Sequence, residues 1–249
     1  MEKDKKIAVL IDADNVSAKY IKYIIDEILN HGIPTYKRIY GDWTQPQLNP
    51  WKDILLKYSI SPIQQYSYTS GKNSTDSALI IDAMDILYSN NVEGFCIVSS
   101  DSDFTRLAAR LRESGMYVMG IGEEKTPISF ISACEKFKYL EVLASMDEKP
   151  AENSDIKQVQ NQDESKIGVI SKNKLIKAIK TIITEISDED GWANLGVFGQ
   201  RLNKKYPDFD TRNYGYTKLR PFVSSLNHFE FKFIKLNNQN LSYYIRNKE

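Results

Sequence analysis

Carboxylates follow two apolar runs of this sequence, where they could together hold a metal ion. Asp12 comes directly after the run Ile7–Ile11, and Asp101 and Asp103 follow the run Phe95–Ser99. Continuous apolar runs of this length are typical of buried strands. Because the carboxyl ends of neighbouring parallel strands, about 5 Å apart, meet at one sheet edge, we expect these acids to lie close together.

A third acid, Asp76, lies at the start of a predicted helix. The residues that share its helix face, three to eleven positions further on, are apolar: Leu79, Ile80, Ala83, Met84 and Leu87. An acid at the head of such a face lies close to the sheet, which is costly unless it meets a cation or hydrogen-bond donors. Asp82 and Asp85 fall on other faces of this helix, so we do not expect them to join Asp76.

Several acids at one sheet edge repel one another, and a divalent cation relieves that repulsion. Ligands that are all oxygen favour Mg²⁺ or Mn²⁺, and 2 Cys and 2 His in the whole chain argue against a zinc cluster. Such a site suits phosphodiester hydrolysis. The alternative for each acid alone is a helix cap, a helix-dipole partner or a turn residue. The sequence contains no nucleophile–histidine motif, P-loop or GxGxxG fingerprint.

The elements that must position these acids alternate between strand and helix. This alternation predicts an α/β domain with a mainly parallel central sheet and helices on both faces. The predicted strands are Ile7–Ile11, Thr35–Tyr40, Ile60–Gln65, Phe95–Ser99 and Tyr117–Ile121, and the predicted helices are Val16–His31, Trp51–Tyr58, Thr75–Ser89 and Phe104–Ser114.

Charge and composition divide the chain into three parts. Residues 1–144 hold 16 basic and 19 acidic side chains, and residues 169–249 hold 14 and 8, a net charge of +6. Between them, residues 145–168 are polar and contain few apolar side chains, which predicts a flexible linker.

The first apolar run is too short for a signal peptide or a membrane span, so we expect a cytoplasmic protein with no membrane partner.

The C-terminal part has the pattern of a small winged-helix (α+β) domain. Three helical apolar faces precede an alternating segment around Phe229–Phe233, a polar turn and a return strand at Leu241–Ile245. Pro221 interrupts the third helical face, so we expect that helix to be kinked or to start late.

Basic residues are candidates for contact with RNA, the expected partner. Single-stranded RNA is favoured because its bases are free to stack. Because the net charge of residues 169–249 is only +6, we expect this binding to be weak and salt-dependent. The alternative is that these basic residues form a solvated surface with no role in binding. In the C-terminal part these candidates, with nearby aromatic rings that could stack on bases, are Arg201, Lys204, Lys205, Arg212, Tyr214, Tyr216, Lys218 and Arg220. In the first part they are Lys72 and Arg106.

Five blocks of the first part occur in the order typical of the NYN family, a branch of the PIN-like nucleases. They are Ile11-Asp12-Ala13-Asp14-Asn15, Tyr40-Gly41-Asp42-Trp43, Gly71-Lys72-Asn73-Ser74-Thr75-Asp76, Ile81-Asp82-Ala83-Met84-Asp85 and Val98-Ser99-Ser100-Asp101-Ser102-Asp103-Phe104. The resemblance covers residues of about 5–143 and implies a three-layer PIN-like fold with ribonuclease activity. It also implies that Asp12, Asp76, Asp101 and Asp103 bind the metal, and that Asn15 orients Asp12 or contacts substrate.

The C-terminal part resembles the OST-HTH/LOTUS family of winged-helix modules implicated in RNA binding. The matching blocks are Gly191-Trp192-Ala193-Asn194-Leu195-Gly196 with Phe198-Gly199, Tyr206-Pro207-Asp208-Phe209-Asp210, and Tyr214-Gly215-Tyr216-Thr217-Lys218-Leu219.

These observations together predict a Mg²⁺- or Mn²⁺-dependent endoribonuclease with a C-terminal RNA-docking domain. Two alternatives stay open. In the first, the chain is a catalytically silent scaffold that binds RNA or a protein. In the second, Asp12 and Asp14 belong to an aspartyl-nucleophile phosphatase, which would form a covalent acyl-phosphate.

Overall fold

The computed structural model describes residues 4–66, 74–145, 170–236 and 240–248. The chain divides into two compact units, Met1–Gln160 and Asn161–Glu249. The linker expected at residues 145–168 lies, except for its first residue, outside the described residues, and it stays a prediction. Within the described ranges, no helix combines the length and the apolar character that crossing a bilayer requires.

The first unit is built on a six-stranded sheet in which every pairing is parallel, with the strand order β3-β2-β1-β4-β5-β6. Its strands are β1 (Lys6–Asp12), β2 (Ile33–Gly41), β3 (Ser61–Gln64), β4 (Gly94–Val98), β5 (Tyr117–Gly122) and β6 (Lys136–Tyr139). Its α-helices are α1 (Ile21–Leu29), α2 (Lys52–Tyr58), α3 (Ser74–Ser89), α4 (Thr105–Glu113), α5 (Ile128–Ala133) and α6 (Leu140–Ala144).

Alternation along β1 decides which side of the sheet each residue faces. Ile7, Val9 and Ile11 belong to a buried cluster that includes apolar side chains of α1 and α6. Ala8 and Leu10, also fully buried, face the opposite side. Asp12 has the same parity as Ala8 and Leu10, so the fold directs it away from α1 and α6.

The predicted strands and the α/β class are confirmed, but two segments differ from the predictions. The helix predicted over Val16–His31 is shorter: a 3₁₀ turn at Ala18–Tyr20 precedes α1, because Ser17 has an extended backbone. No element was predicted after β5, where α5, β6 and α6 lie. Strand β6 contains Lys138, whose buried ammonium lies 3.3 Å from the Glu27 carboxylate. Because the segment contains a charged residue, its sequence does not show the continuous apolar run that indicates a buried strand.

The second unit has the predicted winged-helix elements. Three helices, α7 (Lys172–Ile186), α8 (Leu195–Lys205) and α9 (Leu219–Ser225), accompany an antiparallel sheet of order β7-β9-β8. Its strands are β7 (Ala193–Asn194), β8 (Phe229–Leu236) and β9 (Asn240–Asn247). Helix α9 starts late, at Leu219, which agrees with one of the two expectations for this segment. Pro221 falls in its first turn, where a missing backbone N–H costs little.

Candidate metal centre

Three aspartates from two elements converge at the carboxyl edge of the parallel sheet. One carboxylate oxygen each from Asp76, Asp101 and Asp103 lie within 4.8 Å of one another. Asp76 lies in the first turn of α3, and the other two belong to the loop that follows β4. The structure thus brings together three of the four acids that the sequence assigned to a metal.

The Asp101 carboxylate also has a local role. Its Oδ1 accepts a hydrogen bond from the backbone N–H of Asp103, at 2.9 Å, and so caps the 3₁₀ turn Ser102–Phe104. A carboxylate has two oxygens with several lone pairs, so capping and metal binding are compatible. The cap fixes the position of Asp101 relative to Asp103.

Asp12 lies beside this group but is not one of the three carboxylates that meet within 4.8 Å. It is fully buried, and its Oδ2 accepts hydrogen bonds from Asn15 Nδ2 at 2.7 Å and from Ser99 Oγ at 2.9 Å. Its Oδ1 accepts one from the backbone N–H of Asp14 at 3.1 Å. The expected role of Asn15 in orienting Asp12 therefore agrees with the geometry.

Ser99 joins the two strand ends that carry the acids. Its hydroxyl donates to Asp12, and its oxygen accepts the backbone N–H of Asp101 at 3.1 Å. Sequence reasoning assigned no role to Ser99, although it stands directly between β4 and Asp101. This buried hydroxyl links Asp12 to the Asp101 loop, in addition to the backbone pairing of β1 with β4.

The charges of the acids affect one another. Burial, followed by the negative charges of Asp12, Asp101 and Asp103, raises the pKa of Asp76 from 3.8 to about 6. Burial also raises the pKa of Asp12, although the hydrogen bonds from Asn15 and Ser99 partly oppose this. Because the negative charge of Asp12 is one of those that raise the pKa of Asp76, Asp12 interacts electrostatically with the three converging acids.

A second set of contacts places helix α3 on the sheet. Arg38 Nη1 and the Tyr40 hydroxyl, both from β2, donate to the Asp82 carboxylate of α3. Tyr40 is fully buried, and burial raises the pKa of its hydroxyl, which keeps it a hydrogen-bond donor. Because Tyr40 pairs with Asp12 in the sheet register, this anchor lies close to the acid cluster.

The anchor at Asp82 was missed by sequence reasoning, which excluded Asp82 because it does not share the helix face of Asp76. That exclusion is consistent with the structure, since Asp82 is not among the converging acids. Its partners on β2 are 42 and 44 positions away in sequence, so no local pattern indicates them.

A further carboxylate at this edge, Asp42, has a different role. It accepts hydrogen bonds from Thr44 Oγ1 at 2.6 Å, from Gln64 Nε2 at 2.9 Å and from Gln45 Nε2 at 3.1 Å. These bonds hold the pKa of Asp42 well below its usual range. Asp42 therefore organises the loop after β2, and its oxygens are occupied by protein donors.

Of the two basic RNA-binding candidates in the first unit, the structure describes one. Arg106 is exposed in the first turn of α4, near the Asp103 loop. Lys72 lies outside the described residues, so its expected RNA contact stays a prediction.

In the second unit the candidates divide into two kinds. Arg201, Lys204, Lys205 and Lys218 are exposed, as an RNA-binding surface requires. Arg212 instead forms a bidentate pair with Asp210, with N–O distances of 2.6–3.0 Å.

Tyr214 has a packing role. Its ring stacks on Phe222 at 4.7 Å, and its hydroxyl donates to the carbonyl of Ile170 at 2.9 Å. This geometry favours a structural role for Tyr214 over the base stacking that the sequence suggested.

The converging acids are suitable ligands for a hard divalent cation. Two oxygens bound to one Mg²⁺ at about 2.1 Å lie at most about 4.2 Å apart, so oxygens within 4.8 Å need only small side-chain adjustments to share it. Zinc prefers nitrogen or sulfur ligands, and the three acids provide neither. The residues present therefore fit Mg²⁺ or Mn²⁺.

No curated protein matches the sequence. A solved structure of a protein of unknown function from Vibrio parahaemolyticus is 18% identical, with a TM-score of 0.46, over 55% of this chain and 93% of that one. An uncharacterized protein from Nitrosomonas europaea, solved by NMR, is 30% identical, with a TM-score of 0.30, over 41% of this chain and 92% of that one.

The family models extend over both units. The model of the NYN domain matches residues 6–141, and that of the OST-HTH/LOTUS domain matches residues 171–241. The chain therefore belongs to the NYN domain family and carries an OST-HTH/LOTUS domain after its NYN domain.

Proposed function

We propose that this protein is a Mg²⁺- or Mn²⁺-dependent endoribonuclease. The observation that carries the proposal is the convergence of the Asp76, Asp101 and Asp103 carboxylates within 4.8 Å, beside the buried Asp12. The NYN family match supports the same class of activity. A divalent cation bound there would neutralise charge on the scissile phosphate. It would also lower the pKa of a water molecule bound to the cation.

The chain's own residues divide the remaining work. Asp76, Asp101 and Asp103 would hold the cation, and Asp12 would add negative charge beside them. Asn15 and Ser99 orient Asp12 through its Oδ2. Asp82 holds α3 against β2, which keeps Asp76 at the sheet edge.

The second unit supplies RNA docking in this proposal. The match to the OST-HTH/LOTUS domain and the exposed Arg201, Lys204, Lys205 and Lys218 support it. Docking through a tethered domain raises the local concentration of RNA at the acid cluster without new contacts there. Single-stranded RNA is the expected substrate, since its bases are free to stack.

Incubation of the purified chain with end-labelled single-stranded RNA tests this function. We expect cleavage with Mg²⁺ or Mn²⁺, none with EDTA, and none by the Asp101→Asn variant with either metal. An Asp53→Asn variant, altered at an exposed position of α2, is the matched control and should cleave normally.

Two further measurements, of RNA binding and of phosphomonoester hydrolysis, separate the alternatives. RNA that is bound but stays intact with both metals would identify a silent scaffold. Release of phosphate from small phosphomonoesters, with phosphate trapped on Asp12, would identify a phosphatase. The structure offers the phosphatase little support, because Asp14 is exposed while Asp12 is fully buried.

A further inference from the structure

The hairpin β8–β9 of the second unit carries aromatic side chains beyond the core that it helps to build. Along one face of β8, Phe229 is 4% exposed and belongs to the core, Phe231 packs against that core, and Phe233 is 61% exposed. The hairpin therefore extends past the helices that cover its inner face.

Around Phe233 lies a small group of apolar side chains on the same face. Phe233 pairs with Tyr243 across the two strands, so their side chains are neighbours. Leu241, two residues before Tyr243 and therefore on the same face, is 48% exposed. We call these three residues, Phe233, Leu241 and Tyr243, the wing patch.

A cation borders the wing patch. The guanidinium of Arg220, an exposed residue of α9, lies over the Tyr243 ring, with 4.6 Å from Cζ to the ring centroid. Exposed Lys218 precedes α9 on the same segment. Residues 169–249 carry a net charge of +6, so the surroundings of the patch favour an anionic partner.

The exposed ring of Phe233, beside the partly buried Tyr243 and an arginine, suits a partner that has both planar rings and negative charge. A single-stranded nucleic acid has both, because its bases stack on aromatic faces and its phosphates pair with arginine. A purely apolar peptide would use the rings but gain nothing from Arg220. A polyanion without bases would use Arg220 but gain nothing from Phe233.

We propose that the wing patch, with Arg220, stacks the bases of single-stranded RNA and is the base-contacting part of the docking surface. The inference rests on the proposed docking function and adds to it a position and a mode of contact. It also distinguishes the wing, which offers aromatic rings for stacking, from the basic end of α8, where Arg201, Lys204 and Lys205 offer positive charge for phosphates.

The test measures binding of a labelled single-stranded RNA of mixed sequence to the full chain in EDTA, which prevents cleavage. Phe233→Ser and Phe233→Leu should each weaken binding about 5- to 100-fold, the effect of losing one stacked base, whereas Phe233→Tyr should bind nearly as the parent chain does. Ile234→Ser is the matched control. Ile234 is the next residue of β8, faces the opposite side and is 43% exposed, so this variant should keep full affinity.

Heparin, a polyanion without bases, tests the mode of contact. Phe233→Ser should leave heparin affinity unchanged, whereas Arg220→Ala should weaken both RNA and heparin binding. Full RNA affinity of Phe233→Ser or of Phe233→Leu would overturn the inference while leaving docking intact. A parent chain that does not bind RNA at all would overturn the docking function itself, and this inference with it.

Discussion

The acid cluster of the first unit and the basic surface of the second are built in opposite ways. Around the acids, Asp12 is fully buried and three donors hold its two oxygens. On the basic surface, Arg201, Lys204 and Lys205 are exposed on the last two turns of α8. One site has its side chains fixed by contacts, and the other presents long side chains to solvent.

The difference matches what each site would have to do in the proposed function. Hydrolysis requires that ligands stay within a fraction of an ångström of the productive geometry, and buried hydrogen bonds provide that precision. Docking on a charged backbone tolerates many arrangements, because long-range attraction does not require one geometry. We therefore expect single substitutions to have large effects near the acids and small ones on the basic surface.

The largest effect is expected at Asp101. Asp101→Asn removes a ligand charge but keeps an oxygen that can cap the Asp103 N–H, so the fold should persist. We expect the rate of RNA cleavage to fall by about 10³-fold or more. Initial rates with labelled RNA measure this, and circular dichroism checks the fold. A variant that retains at least half of the parent rate would remove Asp101 from the mechanism.

A smaller effect is expected where a residue acts through helix α3. Asp82→Ala leaves Arg38 and Tyr40 without their shared acceptor, which should destabilise the first unit by about 1–3 kcal/mol. Cleavage should fall about tenfold, because Asp76 is no longer held in place. The control is Asp85→Ala, an exposed position on the same helix.

The two variants are compared by thermal unfolding and by the Mn²⁺ concentration that gives half-maximal cleavage. A positioning role for Asp82 predicts that this concentration rises in Asp82→Ala alone. If both variants need the same Mn²⁺ concentration, Asp82 contributes to stability and not to the metal site.

Substitutions on the basic surface should weaken RNA binding without abolishing it. Reversing three charges, in Arg201→Glu, Lys204→Glu and Lys205→Glu together, should weaken RNA binding about tenfold. The slope of log affinity against log salt should become shallower by about 2, as expected for three lost phosphate contacts with a single strand. KM should rise while kcat stays near the parent value. A salt dependence equal to that of the parent chain would exclude these residues from the docking surface.

The smallest effect concerns the metal-free protein. The pKa of Asp76 is raised from 3.8 to about 6, so between these values the folded chain binds more protons than the unfolded chain. By linkage, this group lowers stability as pH rises through that window, and the penalty is complete above pH 6.

Asp76→Asn removes that penalty. In EDTA at pH 7.5 its melting temperature should exceed that of the parent chain by roughly 2–5 °C, a value that allows for the partial exposure of Asp76. At pH 4 the difference should vanish. An equal gain at both pH values would show that ionisation of the partly buried Asp76, beside the other acids, is not its cause.

Local pattern was sufficient to predict five of the six strands of the first unit, the class of the fold and the aspartates at the strand ends. Asp101 and Asp103 could be placed because they directly follow the apolar strand β4, and Asp76 because it begins a helix with one apolar face. The exposure of Phe233 could not be predicted. Alternation indicates which face of a strand a residue lies on, but not where along the strand the core that covers this face ends.

The supporting contacts could not be predicted, because they join distant parts of the chain. Ser99 and Asp12 are 87 positions apart, and Arg38 and Asp82 are 44 apart. Polar side chains such as these carry no periodic signal of their own. The parallel pairing of β1 with β4 brings Ser99 to Asp12. The packing of α3 on β2 brings Asp82 to Arg38.

Direct binding of Mn²⁺ tests the central claim, which is that these aspartates share a divalent cation. Electron paramagnetic resonance measures free Mn²⁺ as the metal is titrated into the full chain without RNA. The account predicts saturable binding by the parent chain, loss of that binding in Asp76→Asn and Asp101→Asn, and unchanged binding in Asp53→Asn. Binding by either of the first two variants that equals that of the parent chain would contradict it.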